Sequence, residues 1–226
     1  MKLLFLNVDN WNGNIIYFIL LYPILVVIPA GFSYAEDYET KNIVNVVARV
    51  GKKNYYAGKT IAVMATTFGV FTLPFLLEII LNCISFPLEA TGNLSYYSIY
   101  DFEYNHELSN YFWLDLYLGW PYLYAVVCIL FLGLVSAVLS VLVLAVSTFK
   151  IKYKVFLFLP VYILLFLFDN VTNIFGELSF STSYQSYLLL YTYAPKNYAV
   201  CFAVLGAISA FSLFAIYYHA KKDVLI

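Results

Sequence analysis

The sequence predicts an all-α protein, a bundle of helices embedded in a membrane. Three observations carry that reading. The 226 residues are 63% hydrophobic and only 11% charged, whereas soluble globular domains carry about 25% charged residues. The apolar residues fall into runs of roughly 20, the length an α-helix needs to cross a hydrocarbon core about 30 Å thick. Lysine and arginine are sorted to one side of those runs rather than scattered between them.

Five spans are predicted, at about Ile15–Tyr34, Thr60–Phe86, Trp120–Phe149, Tyr153–Val171 and Tyr198–His219. Together they make a single transmembrane domain over residues 1–226. The third is long enough to tilt or to project beyond the bilayer. Prolines lie within the runs at Pro23, Pro29, Pro74 and Pro160. Each removes an amide donor and favours a kink. The opening MKLLFLNVDNWNGN lacks the long apolar core and small-residue cleavage site of a signal peptide.

Direction follows from the bases. Of the 12 Lys and Arg residues, Lys41, Arg49, Lys52, Lys53, Lys59, Lys150, Lys152, Lys154, Lys221 and Lys222 share one side, leaving Lys2 and Lys196 on the other. The positive-inside rule assigns the larger group to the cytoplasm, which puts the N-terminus outside and the C-terminus inside. Trp11, Trp113 and Trp120 then fall at outer interfaces, where amphipathic rings collect. The outer segments are 87–116, acidic and aromatic, and 172–197, rich in Tyr and Ser with an apolar centre at Leu188–Leu190 that reads as an interfacial or re-entrant helix.

Residues 35–59, AEDYETKNIVNVVARVGKKNYYAGK, form the one sizeable segment between two spans with a dense mix of acids and bases. Acids lead (Glu36, Asp37, Glu39) and bases trail, which suits a helix dipole. Ile43, Val44, Val47 and Val50 recur at spacings that predict a short amphipathic helix, with Asn42, Asn45, Arg49 and Lys52 directed elsewhere and Gly51 as its stop. On pattern alone this is either a helix resting on the inner membrane face, anchored by lysines, or a contact site for a cytoplasmic partner.

Chemistry-bearing motifs are sparse. No complete Gly-x-x-x-x-Gly-Lys-Ser/Thr phosphate loop occurs, since Lys53 stands where the motif around Gly58-Lys59-Thr60 needs its first glycine, so the chain is not expected to hydrolyse ATP itself. No second His follows His106-Glu107 at zinc-protease spacing, and no nucleophile–base set lies in the spans, so neither a catalytic nor a metal site is expected. Cys83, Cys128 and Cys201 lie in apolar runs and read as small buried hydrophobes. A net charge of −1 gives no basic field for nucleic acid. Glu78 is the one clearly intramembrane ionisable residue. It belongs either to a translocation path or, protonated, to a helix contact through Asn82, Ser or Tyr.

The run from Leu20 to Pro87 resembles the permease subunits of bacterial ABC transporters of the ABC-2 class. The features carrying the resemblance are Pro29-Ala30-Gly31, Glu36-Asp37, Arg49, Lys52-Lys53-Tyr55 and Lys59, with the His219–Leu225 tail in support. It implies a six-span permease of the bacterial plasma membrane, here lacking its first span, with residues 35–59 at the coupling-helix position. It also implies cytoplasmic ATPase subunits as partners, a homo- or heterodimer with a second permease, and ATP bound by the partner rather than by this chain. Val44, Val47, Arg49, Val50, Lys52 and Lys53 are then the expected ATPase-coupling residues, and export the expected direction. The alternative is a non-transporting membrane immunity or sensor protein, whose outer acids Asp101, Glu103, Glu107 and Asp115 would meet cationic antimicrobial peptides.

Overall fold

The computed structural model describes residues 13–29, 32–85, 113–149, 154–175 and 198–222. These residues are helical, with short turns and no strand among them. In chain order the helices are α1 (Gly13–Val27), α2 (Ser33–Glu39), α3 (Asn42–Val50), α4 (Lys52–Ser85), α5 (Leu114–Gly119), α6 (Pro121–Ser147), a 3-10 turn (Lys154–Leu157), α7 (Phe158–Phe175) and α8 (Tyr198–Lys222). Three of them are long and apolar enough to cross a membrane, over Lys52–Ser85, Tyr122–Ser147 and Phe202–Lys221. α1 and α7 contain the shorter apolar helical stretches Tyr17–Val27 and Phe158–Phe168. At 1.5 Å per residue, the 15 residues of α1 cover only about 22 Å.

α6 is the hub. In its apolar window 78% of residues are buried, against 28% for α4 and 22% for α8, so the other long helices surround it rather than share the centre. α4 makes the largest packing surface with α6, followed by α8, and α1 and α7 also meet it. The main core gathers Tyr22 and Val26 of α1, Phe71 of α4, Leu132 and Leu139 of α6, and Val161 of α7. Outward faces stay apolar: Leu73, Leu77, Phe166, Phe211 and Phe214 are all more than half exposed. Water would penalise such a surface, whereas lipid solvates it.

Buried hydroxyls on α6 are satisfied within the helix. Ser136 Oγ donates to Leu132 O at 2.7 Å, Ser140 Oγ to Ala137 O at 2.7 Å and Ser147 Oγ to Leu144 O at 2.7 Å. Since the Ser136 hydrogen is committed to that carbonyl, the Tyr22 hydroxyl is the donor in its 2.9 Å bond to Ser136 Oγ, joining α1 to α6. Where α4 crosses α6, Gly133 lets the two helices approach closely. A Cβ at Gly133 would overlap Thr72 Cγ2 and press on the Phe68 ring.

Several element limits differ from those the sequence predicts. The first apolar helix ends at Val27, and Tyr34 belongs to the separate helix α2. Pro29 accounts for the stop, since it has no amide donor and pushes the preceding residue out of the α region. The second run is longer than its apolar part, because α4 begins at Lys52 and continues unbroken through Pro74 to Ser85. Residues 35–59 are therefore not a loop but α2, α3 and the opening turns of α4. Pro160 sits in the first turn of α7, where its missing amide has no intrahelical partner to lose, so it does not interrupt that helix. The outer segments at 87–112 and 176–197 lie outside the described residues.

Candidate functional site at the basic end of the bundle

One end of the bundle collects bases from separate parts of the chain: Lys41 and Arg49 on and beside α3, Lys52, Lys53 and Lys59 on the first turns of α4, and Lys221 on the last turn of α8. Trp113 and Trp120 flank α5 at the opposite end of α6. A second core cluster holds the basic end together, joining Tyr34, Ile43, Val47, Tyr55, Tyr56, Val63, Val141, Leu144 and Ile216.

α2 is clamped onto α4. Asp37 Oδ2 accepts from Lys59 Nζ at 2.6 Å and from Tyr55 Oη at 2.7 Å. Tyr55 and Lys59 are one turn apart on α4, so a single carboxylate reaches both. A second tie lies beside the first: the hydroxyls of Tyr34 and Tyr56 are 3.1 Å apart, and their rings stack with centroids 6.0 Å apart. Tyr55 meets the edge of Tyr56 at 5.4 Å. Asp37 and Lys59 keep 29% and 18% of their side-chain exposure, enough desolvation for the pair to matter more than a surface ion pair does.

Asp37→Ala is expected to destabilise the clamp by about 1–3 kcal/mol, because it strands a cation and a hydroxyl that are partly buried. Asp37→Asn, which still offers an oxygen to Tyr55, is expected to cost less. Amide hydrogen exchange over α2 and α3 checks the ordering. Unchanged protection in Asp37→Ala would mean that the clamp does not hold these helices.

α3 hangs between two special backbone positions. Lys41 before it has φ +58° and Gly51 after it has φ +84° with ψ 152°. The Gly51 conformation is essentially reserved for glycine, and it lets α3 stop and α4 begin on the next residue. The Gly51 amide closes α3 by donating to Val47 O at 2.9 Å.

The sequence groups Val44, Val47 and Val50 as one contact face, and the structure separates them. Val47 is 8% exposed and turns inward with Ile43, onto the aromatic cluster of α4. Val44 and Val50 are each 51% exposed, and Val46 is 41% exposed. At about 100° per residue, Val46, Arg49 and Val50 share one flank of the buried stripe, with Val44 on the other. The protein's own core thus takes the centre of the amphipathic face and leaves its margins outside. Lys52 is half-buried at the start of α4, while Lys53 is exposed and borders a groove between α4 and α8.

Glu78 is far from this end. From Lys59 to Glu78 the helix rises about 28 Å, close to the thickness of the hydrocarbon core. If Lys59 marks one boundary of the apolar layer, Glu78 reaches the other. Glu78 is half-buried, and Asn82, one turn on, has a buried side-chain nitrogen without an acceptor.

Sequence reasoning missed the Asp37–Tyr55–Lys59 constellation. The i, i+4 spacing of Tyr55 and Lys59 was a legible signal, but nothing local selects Asp37 over Glu36 or Glu39. It also missed the setting of His219, whose ring meets the edge of Phe149 at 4.5 Å. That contact makes His219 a half-buried packing residue at the end of α8.

Comparison with protein-family models, curated proteins and solved structures finds no match. Among the described residues, no group of three His, Cys, Asp or Glu side chains gathers. Cys83 and Cys128 are free thiols.

Proposed function

We propose that this chain is the membrane-spanning permease subunit of an ATP-driven exporter of the ABC-2 class. In this reading it sits in a bacterial plasma membrane with five spans, α1 and α7 added to the three long helices, and its basic end in the cytoplasm. ATP is bound and hydrolysed by separate cytoplasmic subunits, and the chain pairs with a second permease, identical or different.

The observation that supports this best is the mounting of α3. It is a short amphipathic helix at the basic end, docked by Ile43 and Val47 and clamped indirectly through α2, with Val46, Arg49 and Val50 exposed on one flank. It joins the spanning helix α4 through one glycine. A push on α3 therefore has a short, packed route into α4, and α4 has its largest contact with the central helix. That is what a coupling element requires: a surface for a partner and a stiff connection to the membrane part. Arg49 and Lys52 supply charge for the partner, and Val44 and Val50 supply apolar margin. Val47 acts from inside by holding the helix in place.

The test is the Arg49→Glu, Lys52→Glu double variant, purified from host membranes in mild detergent after chemical cross-linking. A Walker-motif ATPase is expected to accompany the wild-type chain and to be reduced at least tenfold with the variant, while both insert equally into membranes. An ATPase that stays with the variant undiminished, or is missing from the wild type, sinks the reading.

A further inference from the structure

The first turns of α4 and the last turns of α8 do not close on each other. They leave a groove of about 590 Å³ between them. From α4 it is lined by a stripe that starts at Lys53 and continues through Ile61 to Met64; from α8, by a stripe running from Lys221 through Tyr217 to Leu213. The two helices run antiparallel here, so both lysines border the groove at the basic end and both stripes turn apolar with depth. Among the described residues neither Lys53 nor Lys221 is paired with an acid. Ile61, Leu213 and Tyr217 are at least half exposed, so the walls are formed but uncovered.

We propose that this groove binds one anionic phospholipid, with its headgroup phosphate between Lys53 and Lys221 and an acyl chain along Ile61, Met64, Leu213 and Tyr217. Two properties select that occupant. The first is charge: two lysines at the mouth, neither paired with an acid among the described residues, complement an anion, and a basic pocket between membrane helices favours an anionic headgroup. The second is depth. From Lys53 to Met64 the helix rises about 16 Å, room for a headgroup at the mouth and the upper part of an acyl chain below it. A soluble anion would use only the mouth, whereas a phospholipid uses the mouth and the walls. Single lysines at helix ends ordinarily snorkel to water; here two of them, from helices far apart in sequence, border the same cleft. The inference rests on this groove alone and does not depend on the transport reading.

The experiment places a tryptophan in the groove, Leu213→Trp, in the full chain reconstituted into phosphatidylcholine vesicles. A minor fraction of the lipid carries brominated acyl chains, on either phosphatidylglycerol or phosphatidylcholine. The quenching difference between Leu213→Trp and wild type reports lipid in the groove, since the native tryptophans are common to both. Each lysine near the surface is worth about fivefold in affinity for anionic lipid. Brominated phosphatidylglycerol is therefore expected to be preferred on the order of tenfold or more. The preference should collapse toward equality when Lys53→Gln and Lys221→Gln are added, and should survive Lys53→Arg with Lys221→Arg. Circular dichroism of each variant identifies any that has lost its helices, and the arginine pair keeps the test decisive if the glutamine pair misfolds. Equal quenching by the two lipids overturns the proposal, as does a preference that outlasts both glutamines. Loss of the preference on adding inorganic phosphate would point to a free anion instead. A Leu213→Cys cross-link between two chains that shields the groove from both lipids would give it to a second copy of the protein.

Discussion

Tyr22→Ala is expected to destabilise the bundle by about 3–5 kcal/mol, the range for removing a large aromatic from a packed core. Tyr22 is fully buried where α1, α4 and α6 converge. Its ring meets the edge of Phe71 at 5.7 Å and lies 5.8 Å from Phe18. In a membrane the transfer of apolar surface out of water contributes little between helices, so the loss comes from dispersion contacts and an unfilled cavity and falls at the lower end of that range. The hydroxyl makes a separate, smaller contribution. Tyr22→Phe keeps the ring and removes one hydrogen bond to Ser136, which between membrane helices is worth about 0.6 kcal/mol and at most about 1.7. Unfolding of the purified protein by a denaturing detergent should rank wild type, Tyr22→Phe and Tyr22→Ala in that order, with the larger gap at the second step. Comparable losses for the two variants would place the stabilisation in the hydrogen bond rather than the ring. No loss in Tyr22→Ala would mean that α1 does not pack where it is described.

The second large effect belongs to Gly133. Gly133→Ala is expected to cost about 1–3 kcal/mol, and Gly133→Leu about 3 kcal/mol or more, from overpacking. The neighbour in the way is Thr72, which is 3% exposed. Its χ1 is stiff because it is β-branched. Its hydroxyl donates to Phe68 O at 2.8 Å, so turning the methyl aside gives up that bond. Close approach through small residues is the usual way membrane helices gain contact. Gly133 lies on the largest interface of the bundle, α4 against α6. Gly206 on α8 is the control, since a Cβ there meets nothing within 4 Å. The same detergent titration should show Gly133→Ala losing stability while Gly206→Ala does not. If Gly133→Leu were as stable as wild type, α4 and α6 would have to stand further apart than described.

How much of this was legible beforehand varies with the range of the interaction. α6 shows in the sequence almost to the residue, because an uninterrupted apolar run between Trp120 and Phe149 has few ways to be anything but a helix. α3 and its stop at Gly51 also show, from the valine spacing and the glycine's freedom at positive φ. The division of the valines does not. Periodicity identifies an apolar face but not which part of it the rest of the chain covers, and Val47 went inside while Val44 and Val50 stayed out. The start of α4 was hidden for a related reason. Hydropathy marks where a helix becomes apolar, at Thr60, whereas the helix begins two turns earlier at Lys52, among residues that read as a charged loop.

The amino-acid sequence by itself determined that the described residues are helical, that three of its apolar runs are of membrane-crossing length, and that ten of its 12 bases are sorted to one side of the apolar runs. Composition, spacing and charge order are local quantities, and each restricts the backbone without reference to distant residues. Only the tertiary structure decided that α6 is the centre, that Asp37 rather than its acidic neighbours holds Lys59 and Tyr55, and that Lys53 and Lys221 border one groove. Those outcomes depend on which helix faces which. Asp37 and Lys59 are separated by 22 positions and Lys53 and Lys221 by most of the chain, so these side chains come near each other only when packing brings them there, and no local pattern encodes that meeting.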